Sequence, residues 1–230
     1  MSIKKIHLRK ALMLMFATDA KARSVLRADI RDEVRKARGI PSEGGDFHTP
    51  FWHDVRSHID GSKELSLSVS ERIQANPRRG RLYKDMQGGF LDWWENRRRW
   101  TNEASSSHFL AVKGKINFPE VDCVVKVENL LAMFIGGARN RIIYPYFAEV
   151  PRLEPDAARL GLWALTESIS GYPPAELRIL DVIRGHSYSI ADITLEGNER
   201  EEFLDKYRLL LRRWENLYEE YDPPEESGVA

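Results

Sequence analysis

The sequence has 230 residues, of which 42% are hydrophobic and 30% are charged, and its formal net charge is zero. This composition excludes an intrinsically disordered chain, because it supplies enough apolar material for a core. The single cysteine, Cys123, excludes an internal disulfide framework and any multi-cysteine zinc or iron–sulfur site. We therefore expect a chain without cofactors in a reducing compartment, the cytoplasm.

The N-terminal stretch predicts a first helix rather than a membrane segment. The apolar face of this helix is formed by Ile3, Ile6, Leu8, Leu12 and Met15. The apolar run 11–17 is at the short limit of a secretion-signal core, and no convincing cleavage site follows it. No stretch approaches the roughly 20 apolar residues that span a bilayer, so no membrane partner is expected.

Charge is distributed unevenly between the two halves of the chain. Residues 1–112 contain 21 Lys and Arg against 14 Asp and Glu, a net charge of +7, and residues 113–230 carry the opposite charge of −7. Such asymmetry indicates a charged binding partner. The basic half predicts contact with the phosphate backbone of nucleic acid or with an acidic protein, and the opposite charges also allow a homo-oligomer.

The first half of the chain predicts helices only. Apolar residues at helical spacing indicate helices over 19–38, 49–59, 67–75 and 79–100, separated by Gly, Pro and Asn. The last helix contains Gly88 and Gly89, which predict a bend.

The second half changes character and predicts a mixed sheet. Stretches rich in Val, Ile, Phe and Tyr indicate three strands in a meander, within 108–118, 120–135 and 139–150. A helix over 155–170, a strand over 176–185 and a helix over 198–221 follow. The fold class is therefore α+β, with a helical N-terminal half followed by a βββαβα sheet.

Composition also divides the chain into regions. We predict a helical basic region over 1–104, a mixed α/β sheet region over 105–222 and a disordered polar tail over 223–230. The first two regions are expected to form one compact unit.

The stretch ARLGLWALTESISGYPPAELRILDVIRGHSYS, residues 158–189, resembles the late helix and following strand of the PD-(D/E)XK nuclease superfamily, in its RecB-like branch. The resemblance implies a three-stranded meander, a helix and a further strand, and it implies a metal-binding Asp near Asp122. It would place the acid and the lysine of the motif at Tyr144 and Tyr146. Because Mg²⁺ prefers oxygen anions over phenols, this resemblance predicts a nuclease fold without its catalytic motif.

Two other clusters could carry chemistry. His53, Asp54 and His58 lie on one predicted helix, where they either bind a metal or simply cap and pair. The candidate catalytic residues, besides Asp122, are at the end of the fourth strand: Asp181, Arg184 and His186. Charged residues there are equally typical of a strand that meets solvent.

Arginines form the strongest pattern. One ridge of the second helix is formed by Arg23, Arg27, Arg31 and Arg35, four residues apart. Further basic clusters contain Arg78, Arg79, Arg97 and Arg98. These eight arginines are the predicted contacts for nucleic-acid phosphates, and the alternative is a solvated face whose arginines pair with neighbouring acids.

The segment FLDWWENRRRW, residues 90–100, combines three tryptophans with three arginines. Its aromatic residues are predicted to pack in the core, and its arginines remain possible contacts for an anion. The leading hypothesis is a non-catalytic nucleic-acid-associated accessory protein, for example of a defence or mobile-element system. The alternatives are a protein–protein interaction module and a metal-dependent hydrolase or nuclease.

Overall fold

The computed structural model describes residues 3–40, 46–98, 105–107, 112–136 and 139–221 of the chain. The helices in these ranges are α1 (Leu8–Phe16), α2 (Asp19–Ala37), α3 (His48–Ile59), α4 (Leu65–Ala75), α5 (Gly80–Asp92), α6 (Pro155–Ser168) and α7 (Glu199–Tyr221). The strands are β1 (Lys5–His7), β2 (Ser105–Ser107), β3 (Gly114–Phe118), β4 (Cys123–Val127), β5 (Leu131–Ile135), β6 (Arg139–Tyr146), β7 (Leu177–Asp181) and β8 (His186–Tyr188). Within the described part of the chain, no helix combines the length and the apolar character needed to cross a bilayer.

The strands form two sheets, and the larger one is mixed. Its order is β2-β5-β6-β7-β8, in which β6 and β7 are parallel and the other neighbours are antiparallel. Helix α6 connects the two parallel strands. The smaller sheet has the order β1-β4-β3, with β1 parallel to β4. The α+β class with a mixed sheet is therefore confirmed.

Two details of the predicted elements are wrong. The stretch 120–135 is not one strand: it divides into β4 and β5, which belong to different sheets, at a turn where Asn129 has a φ of 65°. The first helix does not include Ile3 and Ile6, because the chain first pairs with β4 as strand β1 and the helix begins only at Leu8. Both errors have the same cause, since apolar periodicity does not reveal which backbone groups find a partner strand.

The five-stranded sheet lies between two hydrophobic cores. Alternate residues of β6 face opposite sides, as expected for a pleated strand. Tyr144 belongs to the core formed with α1, α2, α6 and α7, whereas Ile143 belongs to the core formed with α3, α4 and α5. Because α1 and α2 share a core with α6 and α7, the helical N-terminal region and the sheet region meet in one hydrophobic cluster.

A buried ion network joins α6 to the start of α7. The Arg159 guanidinium donates to Glu199 at 3.0 Å and to Glu202 at 2.5 Å, and only 7% of Arg159 and 2% of Glu199 are exposed. Burial acts to raise the pKa of Glu199. Hydrogen bonds from the backbone near Glu196 and from Arg159 outweigh burial and lower this pKa below its usual value. Glu199 is therefore ionised at neutral pH, and its buried charge is compensated by Arg159.

Helix α5 approaches the β7–β8 turn so closely that only glycine fits at the contact. A Cβ atom on Gly89 would lie 2.2 Å from the carbonyl oxygen of Ile183 and 2.3 Å from that of Val182, whereas a Cβ on Gly88 would meet nothing within 4 Å. Helix α5 continues through both glycines. The backbone changes from an α-helix to a π-helical turn at Trp93–Arg97.

The glycine pair offers a matched test of this packing. We expect Gly89→Ala to lower the free energy of unfolding by about 1–3 kcal/mol, because the methyl group overlaps two carbonyl oxygens. Gly88→Ala should leave it unchanged or raise it by up to about 1 kcal/mol, since alanine favours helix. Urea denaturation measures both values, and equal changes in the two variants would contradict the packing.

The network at Arg159 also has a matched control. Arg159→Met should lower the free energy of unfolding by about 3–5 kcal/mol, because it leaves the Glu199 carboxylate buried without its cation. Arg152→Met removes an exposed pair with Glu154 and should cost less than about 1 kcal/mol. If denaturation curves show a small loss for both variants, the buried network does not stabilise the α6–α7 contact.

Candidate anion-binding site

A cleft of about 400 Å³ lies beside the π-helical turn, and arginines dominate its walls. We call it the arginine cleft. It is lined by Trp93, Arg97, Arg98, Arg141, Ile143, Arg178, Gly185, His186, Ser187, Ser189, Ala191 and Asp192. The described lining thus contains four arginines and one acidic residue, Asp192, which itself accepts hydrogen bonds from the Ser189 backbone at 2.9 Å and from its hydroxyl at 2.7 Å.

Neighbouring parallel strands bring Arg141 and Arg178 together. Ile143 is opposite Arg178 in the register, so Arg141 lies on the same face two residues earlier. Both guanidinium groups donate to the carbonyl oxygen of Ala175, at 3.4 and 2.8 Å. Neither arginine forms an ion pair with a carboxylate of the described residues. Two like charges are therefore held side by side.

The electrostatics of Arg178 reflect this arrangement. Burial, and after it the neighbouring Arg141, lower the pKa of Arg178 from its ordinary value to about 10. The group remains charged at neutral pH. An anion bound between Arg141 and Arg178 would relieve the repulsion, so the site favours a negatively charged ligand.

The other two arginines come from the π-helical turn. Trp93 is buried, and its indole N–H donates to the Ser187 hydroxyl at 3.0 Å, which ties the turn to β8. The Arg98 guanidinium lies 3.2 Å from the centre of the Trp94 ring, and Arg97 pairs with Asp92 at 2.7 Å. The tryptophans thus pack against their neighbours and hold the turn in position, while Arg97 and Arg98 reach the cleft. The predicted roles of Arg99 and Trp100 lie outside the described residues.

The predicted arginine ridge is located elsewhere. Helix α2 shares its core with α7, on the sheet face opposite the π-helical turn. Arg23 pairs with Asp19 at 2.8 Å, and Arg27 pairs with Glu220 at 3.2 Å. The ridge that also includes Arg31 and Arg35 therefore does not form one surface with the cleft.

Arg78 and Arg79 occupy a third location. They lie in the short 3₁₀ turn before α5, where both are exposed. The Arg79 guanidinium is 4.3 Å from the centre of the Phe47 ring. Of the eight predicted arginines, only Arg97 and Arg98 line the cleft.

Sequence reasoning missed Arg141 and Arg178, which complete the cleft. Each was read as part of an apolar strand. The feature of the sequence that could have identified them is an arginine within a mainly apolar stretch, RIIYPY for Arg141 and LRILD for Arg178. Their proximity depends on the parallel pairing of β6 with β7, which those short stretches do not reveal.

Three of the four candidate catalytic residues lie together at the end of β7, whereas Asp122 lies apart from them. Asp181 is buried, accepts a hydrogen bond from the Leu153 backbone at 3.0 Å and pairs with Arg184 at 3.3 Å, so it holds the chain after β6 against β7. Asp122 is exposed at the β3–β4 turn in the smaller sheet. Only His186 reaches the arginine cleft, where it is exposed.

The candidate metal ligands on α3 have other partners. The Asp54 carboxylate forms a two-point ion pair with Arg72, including one hydrogen bond of 2.8 Å. The His58 ring packs against Phe90 and Trp94, whereas His53 is exposed. Among the described residues, no group of three or more His, Cys, Asp and Glu side chains is placed to hold a metal ion.

The two tyrosines on β6 are buried and hydrogen-bonded. Tyr144 accepts a hydrogen bond from the Arg9 backbone at 2.7 Å, and Tyr146 donates to the Pro151 carbonyl at 2.8 Å. Burial raises the pKa of Tyr144 to about 12 and raises the pKa of Tyr146 as well. Both phenols are neutral at physiological pH and act as structural anchors.

A comparison with models of known protein families matches none of them, and a comparison with curated protein sequences finds no match either.

The repulsion between Arg141 and Arg178 can be measured without a ligand. At low ionic strength we expect Arg141→Gln to raise the melting temperature, because it removes the positive charge beside Arg178 and sacrifices only a long hydrogen bond. High salt should abolish the gain by screening. Arg23→Gln is the control, since it breaks an ion pair with Asp19 and should not stabilise. A loss of stability in Arg141→Gln at low salt would contradict the like-charge arrangement.

Proposed function

We propose that the protein is a cytoplasmic, non-catalytic nucleic-acid-binding or accessory protein, and that the arginine cleft contacts the phosphate backbone. The observation that carries this proposal is the pair Arg141 and Arg178, whose guanidinium groups are held together without an ion pair to a described carboxylate, although Asp192 in the same cleft favours the charged form of Arg178. Like charges are placed together at a cost in stability, and a bound anion offsets that cost.

The chemistry of the cleft supports phosphate as the anion. A guanidinium presents parallel N–H donors that match two phosphate oxygens, and four such groups line one cleft. The hydroxyls of Ser187 and Ser189 add neutral hydrogen-bonding groups to the wall. Phosphate contacts of this kind give affinity without sequence specificity.

The sheet supports the resemblance to the PD-(D/E)XK superfamily. Strands β2, β5 and β6 form an antiparallel meander, followed by α6 and the strand β7, which is the element order that the resemblance implies. The second strand of this meander is β5. Strands β3 and β4 lie between β2 and β5 in the chain and are additional to the element order that the resemblance implies. Neutral phenols at Tyr144 and Tyr146 favour a binding role over metal-dependent cleavage.

A salt titration tests this function. We would measure the affinity for labelled single-stranded DNA, duplex DNA and RNA by fluorescence anisotropy over a range of salt concentrations. Wild-type protein should bind at low salt, and its affinity should fall steeply as salt rises. The variant Arg97→Gln/Arg141→Gln should bind at least ~10-fold more weakly, with a log–log slope smaller by roughly 1.4–1.8, since each of the two lost phosphate contacts contributes ~0.7–0.9.

A variant of the ridge is the matched control. Arg23→Gln/Arg31→Gln removes the same charge from α2 and should change the affinity by less than about twofold at moderate salt. Absence of binding at low ionic strength would contradict the proposal, and so would an equal loss in both variants. A defined homo-oligomer or complex with an acidic protein, without nucleic-acid affinity, would favour the interaction module instead.

A further inference from the structure

A second cavity, of about 350 Å³, lies at the opposite end of β6 from Arg141. We call it the α1 pocket. It is an open pocket lined by the first turns of α1, by α2, by the start of α3 and by the chain that follows β6. None of its lining residues belongs to the arginine cleft. The α1 pocket is therefore separate from the site proposed for nucleic acid.

The walls of the α1 pocket are flat and mainly apolar. Met13, Val25 and Phe147 contribute apolar surface. The His48 ring is stacked on Phe147, with 4.8 Å between the ring centres and 17° between the planes. Burial and the nearby Arg9 lower the pKa of His48 to about 4, so this ring is neutral at physiological pH. The pocket thus offers a surface suited to a planar apolar group.

One positive charge in the pocket has no ion-pair partner among the described residues. The Arg9 guanidinium lies 5.8 Å from the centre of the Phe147 ring, and no described carboxylate pairs with it. Lys10, the other cation of the wall, pairs with Asp29 at 2.5 Å. Asp46, whose carboxylate interacts electrostatically with Arg9 without forming an ion pair with it, accepts hydrogen bonds from the backbone of the first turn of α3, the closer at 3.0 Å.

The position of Arg9 is well defined by the fold. Its backbone N–H donates to the buried Tyr144 hydroxyl at 2.7 Å, which fixes the start of α1 over β6. The side chain is half-buried at the edge of the apolar walls. A guanidinium in partly apolar surroundings attracts an anion more strongly than one in bulk water.

We propose that the α1 pocket binds a small organic anion with a planar apolar body. The acidic group would pair with Arg9, and the body would lie against Phe147, Met13 and Val25. The class of ligand is an aromatic carboxylate or a similar monoanion, because the pocket presents one unpaired guanidinium and apolar walls of a size typical of small-molecule sites.

Calorimetry with two matched probes tests this proposal. We would titrate the full chain with 2-naphthoate and with 2-naphthamide, which has the same shape and no charge. One naphthoate should bind per chain, and the amide should bind at least ~10-fold more weakly, because it cannot form a charge-assisted pair with Arg9. Equal affinities for the two probes, or no heat of binding from naphthoate, would overturn the proposal.

Three variants locate the probe. Arg9→Gln should reduce naphthoate affinity to that of the amide and leave amide binding unchanged, and Arg9→Lys should restore part of the difference. Val25→Phe should weaken both probes by filling the cavity. Arg141→Gln is the control in the arginine cleft and should have no effect. Loss of naphthoate binding in Arg141→Gln but not in Arg9→Gln would place the anion in the cleft and contradict the α1 pocket.

Discussion

The contact of Gly89 with the β7–β8 turn determines where the rest of the candidate site lies. Helix α5 reaches the carbonyl oxygens of Val182 and Ile183 at a distance that excludes even a methyl group. At this separation the following π-helical turn meets β8, and Trp93 forms its hydrogen bond to Ser187. That turn carries Arg97 and Arg98 to the cleft that already contains Arg141 and Arg178. A wider helix–sheet spacing would separate the two pairs of arginines.

The cleft also illustrates a conflict between stability and binding. Several buried charges of the described residues are compensated, as in the Arg159 network and in the pair of Asp54 with Arg72. Arg178 is different, because burial and a neighbouring cation both act against its charge. Protein sites that bind anions accept such local instability, which the ligand offsets when it binds. The same reasoning applies on a smaller scale to Arg9, which faces neutral aromatic rings.

Sequence reasoning predicted the helices well and the sheets less well. Apolar spacing located α2, α3 and α4 to within about two residues, because each buries a single continuous stripe. The predicted strand over 120–135 combined β4 and β5, because both are apolar and the break at Asn129 depends on a left-handed backbone conformation. The sequence also predicted a bend at Gly88 and Gly89, but it did not reveal that Gly89 permits close packing against the β7–β8 turn.

The sequence predicted two of the four arginines that line the candidate site. Arg97 and Arg98 stand out in the sequence as a basic run beside tryptophans, and both line the cleft. Arg141 and Arg178 are isolated in apolar strands, and only parallel pairing across α6 makes them neighbours. The regular spacing of Arg23 and Arg27 pointed to a surface that the fold places against α7 and its acids. Local patterns therefore identified cationic residues but not which of them converge.

We propose that nucleic-acid phosphates enter the arginine cleft. NMR spectra of the arginine side-chain Nε–H groups, recorded during titration with a short single-stranded DNA, test it most directly. Signals of Arg97, Arg141 and Arg178 should shift with saturation, while those of Arg23 and Arg31 should stay unchanged. Shifts confined to the arginines of α2, with the cleft signals unmoved, would contradict it.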